Sequence, residues 1–476
     1  MISIFVATLT LLAPAQNAAP MPPPKAPEPE APKPPAWIRS ITLRPGPAPY
    51  RALGNPLLPA LAELVSGNAV VCYYRAFSPE SYGYQKRFKE WWKTDEAWSK
   101  STLAALPRQD MEFLLTHWPL EQMETGARRT YCDWEMAERL KKNGFSTLLP
   151  DIQSLRELGR LMSHRIRLKL AKNDYPGALR DIQTLLAMGR HVAAGPTLIQ
   201  HLVGIAILSI GLDRLEEALQ QPGFPNLHWD LAILPSPLTD ITLALEGEKL
   251  IGVDGEFPAL SSDRVMSQDD ALKITERYKR LLSMQGEDPT VTASVILGVS
   301  LISYTGSKTW LVERGVPRER VEAMPVAQVV MLRSVGEFYR LRDEMFKFSQ
   351  LPLWQAAPLL KAADKKLKEE VNNPPAILAR LLLPGVSRVM EARFRVERRI
   401  AMLRLIEGLR LHASRTGELP ENLEILKLPL PMDPFTGKGF QYTRTAANQA
   451  ILLGPARNGD SNAAGNTLEY QINWKK

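Results

Sequence analysis

Cysteine is nearly missing from this 476-residue chain, which holds only Cys72 and Cys132. Neither belongs to a Cys-x-x-Cys pair, so zinc-finger spacing and a thioredoxin-type redox motif are excluded. In an oxidising compartment the two could form one disulfide. Chain entropy gives a bridge over a loop of about 60 residues roughly 4 kcal/mol. Two buried free thiols are the alternative. Histidine is also scarce: the six are His117, His164, His191, His201, His228 and His412. None forms a His-Glu-x-x-His motif, which would set two imidazoles on one helical face for a metal. Gly-x-Ser-x-Gly elbows, Walker A loops and Gly-x-Gly-x-x-Gly fingerprints are missing too, which removes the common serine-hydrolase and nucleotide-binding signatures. Between residues 55 and 414 no run of alternating β-branched residues occurs, so an α/β core with buried parallel strands is not expected.

What is present is the composition of a folded protein, with 45% hydrophobic and 23% charged residues. The length allows about three domains. The formal net charge of +8 is spread along the chain. It reads as a solvated basic surface, and neither a glycine-aromatic RNA signature nor zinc-finger spacing points to nucleic acid.

The N-terminus predicts export. Ile2 to Leu12 is an apolar run interrupted by Ser3, Thr8 and Thr10, and Ala13-Pro14-Ala15 follows with small residues where a signal peptidase reads. The run is too short to span a bilayer as a lone helix. It departs from the usual pattern in having no Lys or Arg before it. Ala18 to Pro35 is dominated by Pro, Ala, Glu and Lys, the composition of an extended solvated spacer.

From Asn55 to about Ser414 the hydrophobic period is helical. It predicts helices near 56–66, 69–77, 84–92, 95–105, 109–124, 127–142, 151–172, 176–193, 197–220, 238–251, 267–284, 289–303, 317–323, 326–349, 355–371 and 386–415. Leu158, Leu161, Ile166, Leu168 and Leu170 stripe one helix, and Ala178, Leu179, Ile182, Leu185, Leu186 and Met188 stripe the next. The short Asn173-Asp174-Tyr175 connection makes these an antiparallel hairpin. The stretch from Lys172 to Leu179 resembles the middle of a tetratricopeptide repeat, where an aromatic plugs the hairpin end and a small Ala admits close approach. The helix at 386–415 carries an apolar stripe through Val389, Phe394, Ile400, Leu403 and Leu409. Its other face holds Arg388, Arg393, Arg395, Arg398, Arg399, Arg404 and Arg410. Interleaved Glu391, Glu397 and Glu407 make that face read as solvated and salt-bridged rather than membrane-bound.

After Gly417 the character changes. Asp433-Pro434 and Thr436-Gly437-Lys438-Gly439 mark tight turns, and strands are expected at 440–444, 449–453 and 468–472. With its Leu419-Pro420-Glu421-Asn422-Leu423 segment and its Gly454-x-x-x-Asn458-Gly459-Asp460 loop, the stretch 400–474 resembles the C-terminal part of type II secretion pseudopilins. That likeness implies a weak calcium site whose candidate ligands are Asn458, Asp460 and Asn462. The family's Phe-Thr-Leu-x-Glu processing motif is missing, so the likeness is to a pilin-like tail alone. More widely, Tyr73-Tyr74-Arg75-Ala76, Arg128-Arg129-x-x-Cys132-Asp133-Trp134, Gly189-Arg190-His191-Val192 and Leu245-Glu246-Gly247-Glu248-Lys249 resemble a group of exported helical proteins of planctomycete-type bacteria. That resemblance brings no activity with it.

The fold class expected is mainly α: an irregular helical array of tetratricopeptide-like hairpins with a small antiparallel β module at the C-terminus. Residues 1–15 read as a leader, 16–36 as linker, 37–385 as helical array, 386–416 as the long amphipathic helix and 417–476 as the β module. Arg160, His164, Arg190, His191, Gln200 and His201 come from three consecutive helices and are candidates to line one groove for an anionic ligand. Glu246 and Glu248, two apart on a helix, make a poor acid/base pair. The expected role is a non-enzymatic interaction or structural protein of the periplasm or cell envelope, with protein partners. No cofactor, no nucleic acid and, after leader removal, no transmembrane segment is expected. The alternatives are an exported hydrolase near His164, His191 and His201, and an accessory factor of a pilin-like secretion system.

Overall fold

Local sequence signals set the central hairpin. Asn173 takes a left-handed backbone with φ +60°, which turns the chain. The Asp174 carboxylate accepts from Gly177 N at 3.0 Å and caps the helix that follows. The computed structural model describes residues 37–49, 51–77, 93–143, 150–251, 260, 264–283, 289–370, 385–457 and 465–475. The expected leader and linker, the helix at 84–92 and the candidate calcium ligands Asn458, Asp460 and Asn462 lie outside them.

The main helices are α1 (Ala69–Arg75), α2 (Trp118–Ala127), α3 (Pro150–Ala171), α4 (Tyr175–Ala193), α5 (Leu198–Leu219), α6 (Thr242–Ile251), α7 (Gln268–Ser283), α8 (Pro289–Glu313), α9 (Val326–Phe346), α10 (Leu353–Glu370) and α11 (Gly385–Thr416). The protein is therefore mainly α, as its periodicity predicts. Helices α3, α4 and α5 pack on one another around Leu158, Leu161, Ile182, Leu185, Leu208 and Leu212, all buried. The approach of α4 to α5 depends on missing side chains. A Cβ on Gly204 would lie 2.4 Å from the backbone nitrogen of Ala193, and one on Gly189 would lie 2.7 Å from the Leu208 side chain. Tyr175 closes the hairpin end, with its hydroxyl donating to Pro222 O at 2.8 Å and its ring edge-on to Phe224. By length and composition α5 could cross a membrane. In the fold it is a core helix against α3, α4 and α11, with buried Gln200, His201 and Glu216.

A second apolar cluster joins Ile241, Leu245, Ile274, Met331, Phe338, Leu341 and Leu353 to Val389, Phe394 and Phe435. It lies among helices α6, α7, α9, α10 and the start of α11.

The C-terminal module forms as expected, with strands β4 (Gln441–Ala446), β5 (Gln449–Gly454) and β6 (Leu468–Trp474) in an antiparallel meander. The difference is a fourth strand. β1 (Trp37–Leu43), at the far end of the sequence, pairs in parallel with β6, Trp37 opposite Leu468 and Leu43 opposite Trp474. The sheet order is β1-β6-β5-β4, so it is mixed rather than antiparallel throughout. Ile41, Leu43, Ala450, Leu452, Tyr470, Ile472 and Trp474 face inward.

The arginine face of α11 is largely not solvated. Arg393, Arg398, Arg399 and Arg410 are buried. Arg398 donates to Asp433 Oδ1 at 2.8 Å and Oδ2 at 2.7 Å, to Gly454 O at 3.1 Å, to Pro455 O at 2.8 Å, and to Asn466 O. It fastens the β module to the helix. Arg399 pairs with Asp213 and Glu216, each at 2.5 Å, and Arg39 of β1 pairs with the same two carboxylates at 3.0 and 2.6 Å. The Tyr470 hydroxyl donates to Glu216 as well. Four elements thus meet in one ionic cluster. The expected Glu391–Arg395 pair is present at 3.3 Å.

The helix expected at 109–124 is broken into Arg108–Met111, a 3-10 segment at Glu112–Thr116 and α2, and two further expected helices give way to strand-containing structure. In place of 56–66, Leu61–Glu63 makes one 3-10 turn and β2 (Val65–Asn68) follows. In place of 127–142, β3 (Arg129–Tyr131) precedes a short helix at Ala137–Asn143. β2 and β3 pair in parallel, and Val65 N donates to Arg128 O at 2.8 Å. Pro56 and Pro59 supply no N–H for a helix there, and pairing with a distant strand satisfies the backbone instead.

Candidate functional site

The three histidines expected in one groove lie in different settings, His164 and His201 buried and His191 half-buried. His164 Nε2 is 2.8 Å from Asp95 Oδ1, and Arg160 donates to the same carboxylate. His191 Nδ1 is hydrogen-bonded to Tyr73 Oη at 2.8 Å, while its carbonyl accepts from Trp134 Nε1 at 3.0 Å. His201 Nδ1 is 2.8 Å from Ala193 O, with Thr239 Oγ1 near Nε2 at 3.5 Å. Arg190 donates to Leu238 O at 3.1 Å. Gln200 is fully buried beside Thr197, and its amide nitrogen has no hydrogen-bond partner among the described residues.

Burial lowers all three imidazoles, His164 to about 3 and His191 and His201 to about 4. For His164 the guanidinium groups of Arg167, Arg214 and Arg160 add to that effect. A ring of such low basicity is a poor general base near neutral pH, because the best proton acceptor has a pKa near the working pH. His164 and His201 are core histidines, and half-buried His191 is held by Tyr73. Glu248, whose spacing from Glu246 makes the two a poor acid/base pair, accepts from Leu198 N at 2.9 Å and caps α5. Glu246 pairs with Lys249 at 2.7 Å. Among the described residues no three His, Cys, Asp or Glu side chains gather as metal ligands. Cys72 and Cys132 are free thiols, the first buried and the second half-buried.

A concave, charged feature lies elsewhere among the described residues. A cleft of about 390 Å³ is lined by Glu63, Val65, Glu121, Glu124, Thr125, Arg128, Arg129 and Arg180. The β2–β3 ladder positions Val65 opposite Arg129. Helix α2 contributes Glu121, Glu124 and Thr125, Arg128 just after its C-terminus turns inward, and α4 presents Arg180.

The charges form a chain of alternating sign. Arg128, 7% exposed, donates to Gln183 Oε1 at 2.6 Å, Thr184 Oγ1 at 3.2 Å and Glu124 O at 3.1 Å. Glu63 accepts from Ala60 N at 3.0 Å and pairs with Arg180 at 3.2 Å. Arg180 also donates to Glu124. Glu124 lies 3.5 Å from Arg165, which is locked to buried Asp181 at 2.6 Å. Arg129 reaches across Gly67 to donate to Ser66 O at 2.9 Å, and the glycine's φ of +136° suits no side chain there.

Burial pushes the Glu63 carboxyl up, but the Ala60 N–H, Arg128, Arg180 and Gln183 together hold it below the ordinary value. Burial opposes ionisation of Glu124 as well, and Arg180, Arg165 and Arg128 overcome it. Both carboxylates stay anionic at neutral pH, and guanidinium groups stay cationic. Fixed charges of both signs suit recognition rather than proton transfer.

No residue of this cleft stands among the sequence candidates except through the Arg128-Arg129 motif. Glu63, Val65 and Arg180 come together by tertiary folding. Compared with protein-family models, with curated proteins and with solved structures, the chain matches none.

Proposed function

We propose that this chain is an exported helical interaction protein of the cell envelope, and that the cleft between α2, α4 and the β2–β3 ladder is its contact site. The supporting observation is that the cleft carries fixed charges of both signs beside exposed apolar side chains. Leu61 is 85% exposed, Val65 56% and Tyr131 54%. Tyrosine and arginine are among the residue types enriched at protein-binding hot spots. The apolar N-terminal run and the Pro-rich stretch after it support export followed by a spacer.

The test is site-specific photocrosslinking in intact cells from Tyr131→p-benzoylphenylalanine, with Lys347→p-benzoylphenylalanine on α9 as the control. Adducts to one identified envelope protein from position 131, and not from 347, are expected. Equal adduct patterns from both positions, or a chain retained in the cytoplasm, defeat the reading.

A further inference from the structure

We infer that this cleft receives an acidic side chain carried on an extended segment of a partner protein; the inference rests on the interaction reading above and names what the contact recognises. A guanidinium offers five N–H donors. Arg128 commits three of them, to Glu124 O, Thr184 Oγ1 and Gln183 Oε1. Its Nε is buried and has no hydrogen-bond partner among the described residues. Glu63 approaches that nitrogen only to 3.7 Å, beyond hydrogen-bond range. Arg214, Arg333, Arg393 and Arg404 also have a buried Nε without a hydrogen-bond partner among the described residues, but of these Arg128 lines the cleft.

Glu63 is held back by its other bonds, to Arg180 at 3.2 Å and to Ala60 N at 3.0 Å. Arg180 stands half-exposed at the cleft, with 48% of its side chain open to water. An incoming carboxylate can therefore take over Arg180 and the neighbouring Arg129. Glu63 is then released to close on Arg128 Nε. The exchange adds a charge-assisted bond and gives a buried donor its acceptor, so a ligand carboxylate is favoured over a neutral amide.

The rim specifies what surrounds the carboxylate. Arg129 and Tyr131 are two apart on β3 and share a face, and Val65 lies across the ladder from Arg129. Apolar and aromatic surface thus borders the guanidinium groups. An acidic residue between aliphatic neighbours on an extended strand complements both charge and rim.

The experiment uses the full mature chain and a fluorescein-labelled Ala-Val-Glu-Leu-Val-Ala peptide with an amidated C-terminus, followed by fluorescence anisotropy. Saturable binding is expected, weakened about tenfold or more when the peptide's Glu becomes Gln, as loss of a charge-assisted bond implies. Arg129→Ala and Arg180→Ala should each weaken binding by a similar factor of about ten, while a thermal melt shows both variants folded. Failure of the wild-type chain to bind, equal binding of the Glu and Gln peptides, or unchanged binding by both variants overturns the inference. So does equally tight binding of a Gln peptide with a free C-terminal carboxylate, which would move recognition to a chain end. Position-131 crosslinks that persist without peptide binding leave the broader interaction reading standing; loss of both removes it too.

Discussion

Arg398 and Arg128 are the same residue in two regions of one molecule, and their surroundings differ in one respect. On α11, Arg398 meets Asp433 through two hydrogen bonds and three backbone carbonyls through the rest of its fork. In the cleft, Arg128 is almost as buried but keeps Nε without a hydrogen-bond partner among the described residues, with Glu63 at 3.7 Å. A guanidinium whose donors are all met is a fastener, because any change leaves a buried charge or carbonyls uncompensated. One with a donor to spare has bonding capacity that a partner can still use. Burial alone does not separate the two; the count of satisfied donors does.

The sharpest way to break this comparison is to cut the saturated arginine. Arg398→Met leaves Asp433 buried without its partner and should cost about 3–5 kcal/mol in urea unfolding. Arg398→Met combined with Asp433→Leu should recover much of that loss. No recovery would mean that the backbone carbonyls, not the ion pair, dominate at this joint.

Acid provides the next effect. His164, His191 and His201 have folded-state pKa values of about 3, 4 and 4, below the ordinary value of 6.5. The unfolded chain therefore binds more protons than the folded one between those values and 6.5, and stability rises with pH through that window. Urea midpoints should fall steadily from pH 6.5 toward pH 4. His164→Asn should shallow the slope. An unchanged slope would show that the ring is solvated in the native protein.

A smaller loss is expected at the unsaturated arginine. Arg128→Met removes three hydrogen bonds but leaves Glu63 with Arg180, so the expected cost is about 1–3 kcal/mol. A loss as large as that of Arg398→Met would erase the distinction drawn here. The smallest change should come from Arg129→Ala, at the cleft rim, with stability altered by less than about 0.5 kcal/mol. An effect beyond that range would make Arg129 a structural residue.

Much of the fold was legible in the residues. The hairpin at 158–194 was readable because Asn173, Asp174 and the two leucine stripes act locally, through turn, cap and period. The three C-terminal strands were readable for the same reason. β1 was not, since its partner β6 lies at the other end of the chain and no local pattern reports parallel pairing at such separation. The arginines of α11 misled because periodicity assigns charge to the solvent side, while a buried cation is tolerated once its partners are in place. The candidate site was read least well. Histidine is the residue type that suggests chemistry, yet His164 and His201 are packed in the core and His191 is tied to Tyr73. The cleft is built from common glutamates and arginines whose meeting depends on a two-strand ladder that the expected helices at 56–66 and 127–142 did not include.

By itself, then, the sequence determined helix content, hairpin turns, the strand meander and the apolar faces that must be covered, all matters of bonding and burial within a few residues. Tertiary structure alone decided which charges are neutralised, which strand closes the sheet and where a guanidinium keeps a donor open. Those outcomes depend on partners tens to hundreds of residues away, and only the packed chain brings such partners within the few ångströms over which a hydrogen bond acts.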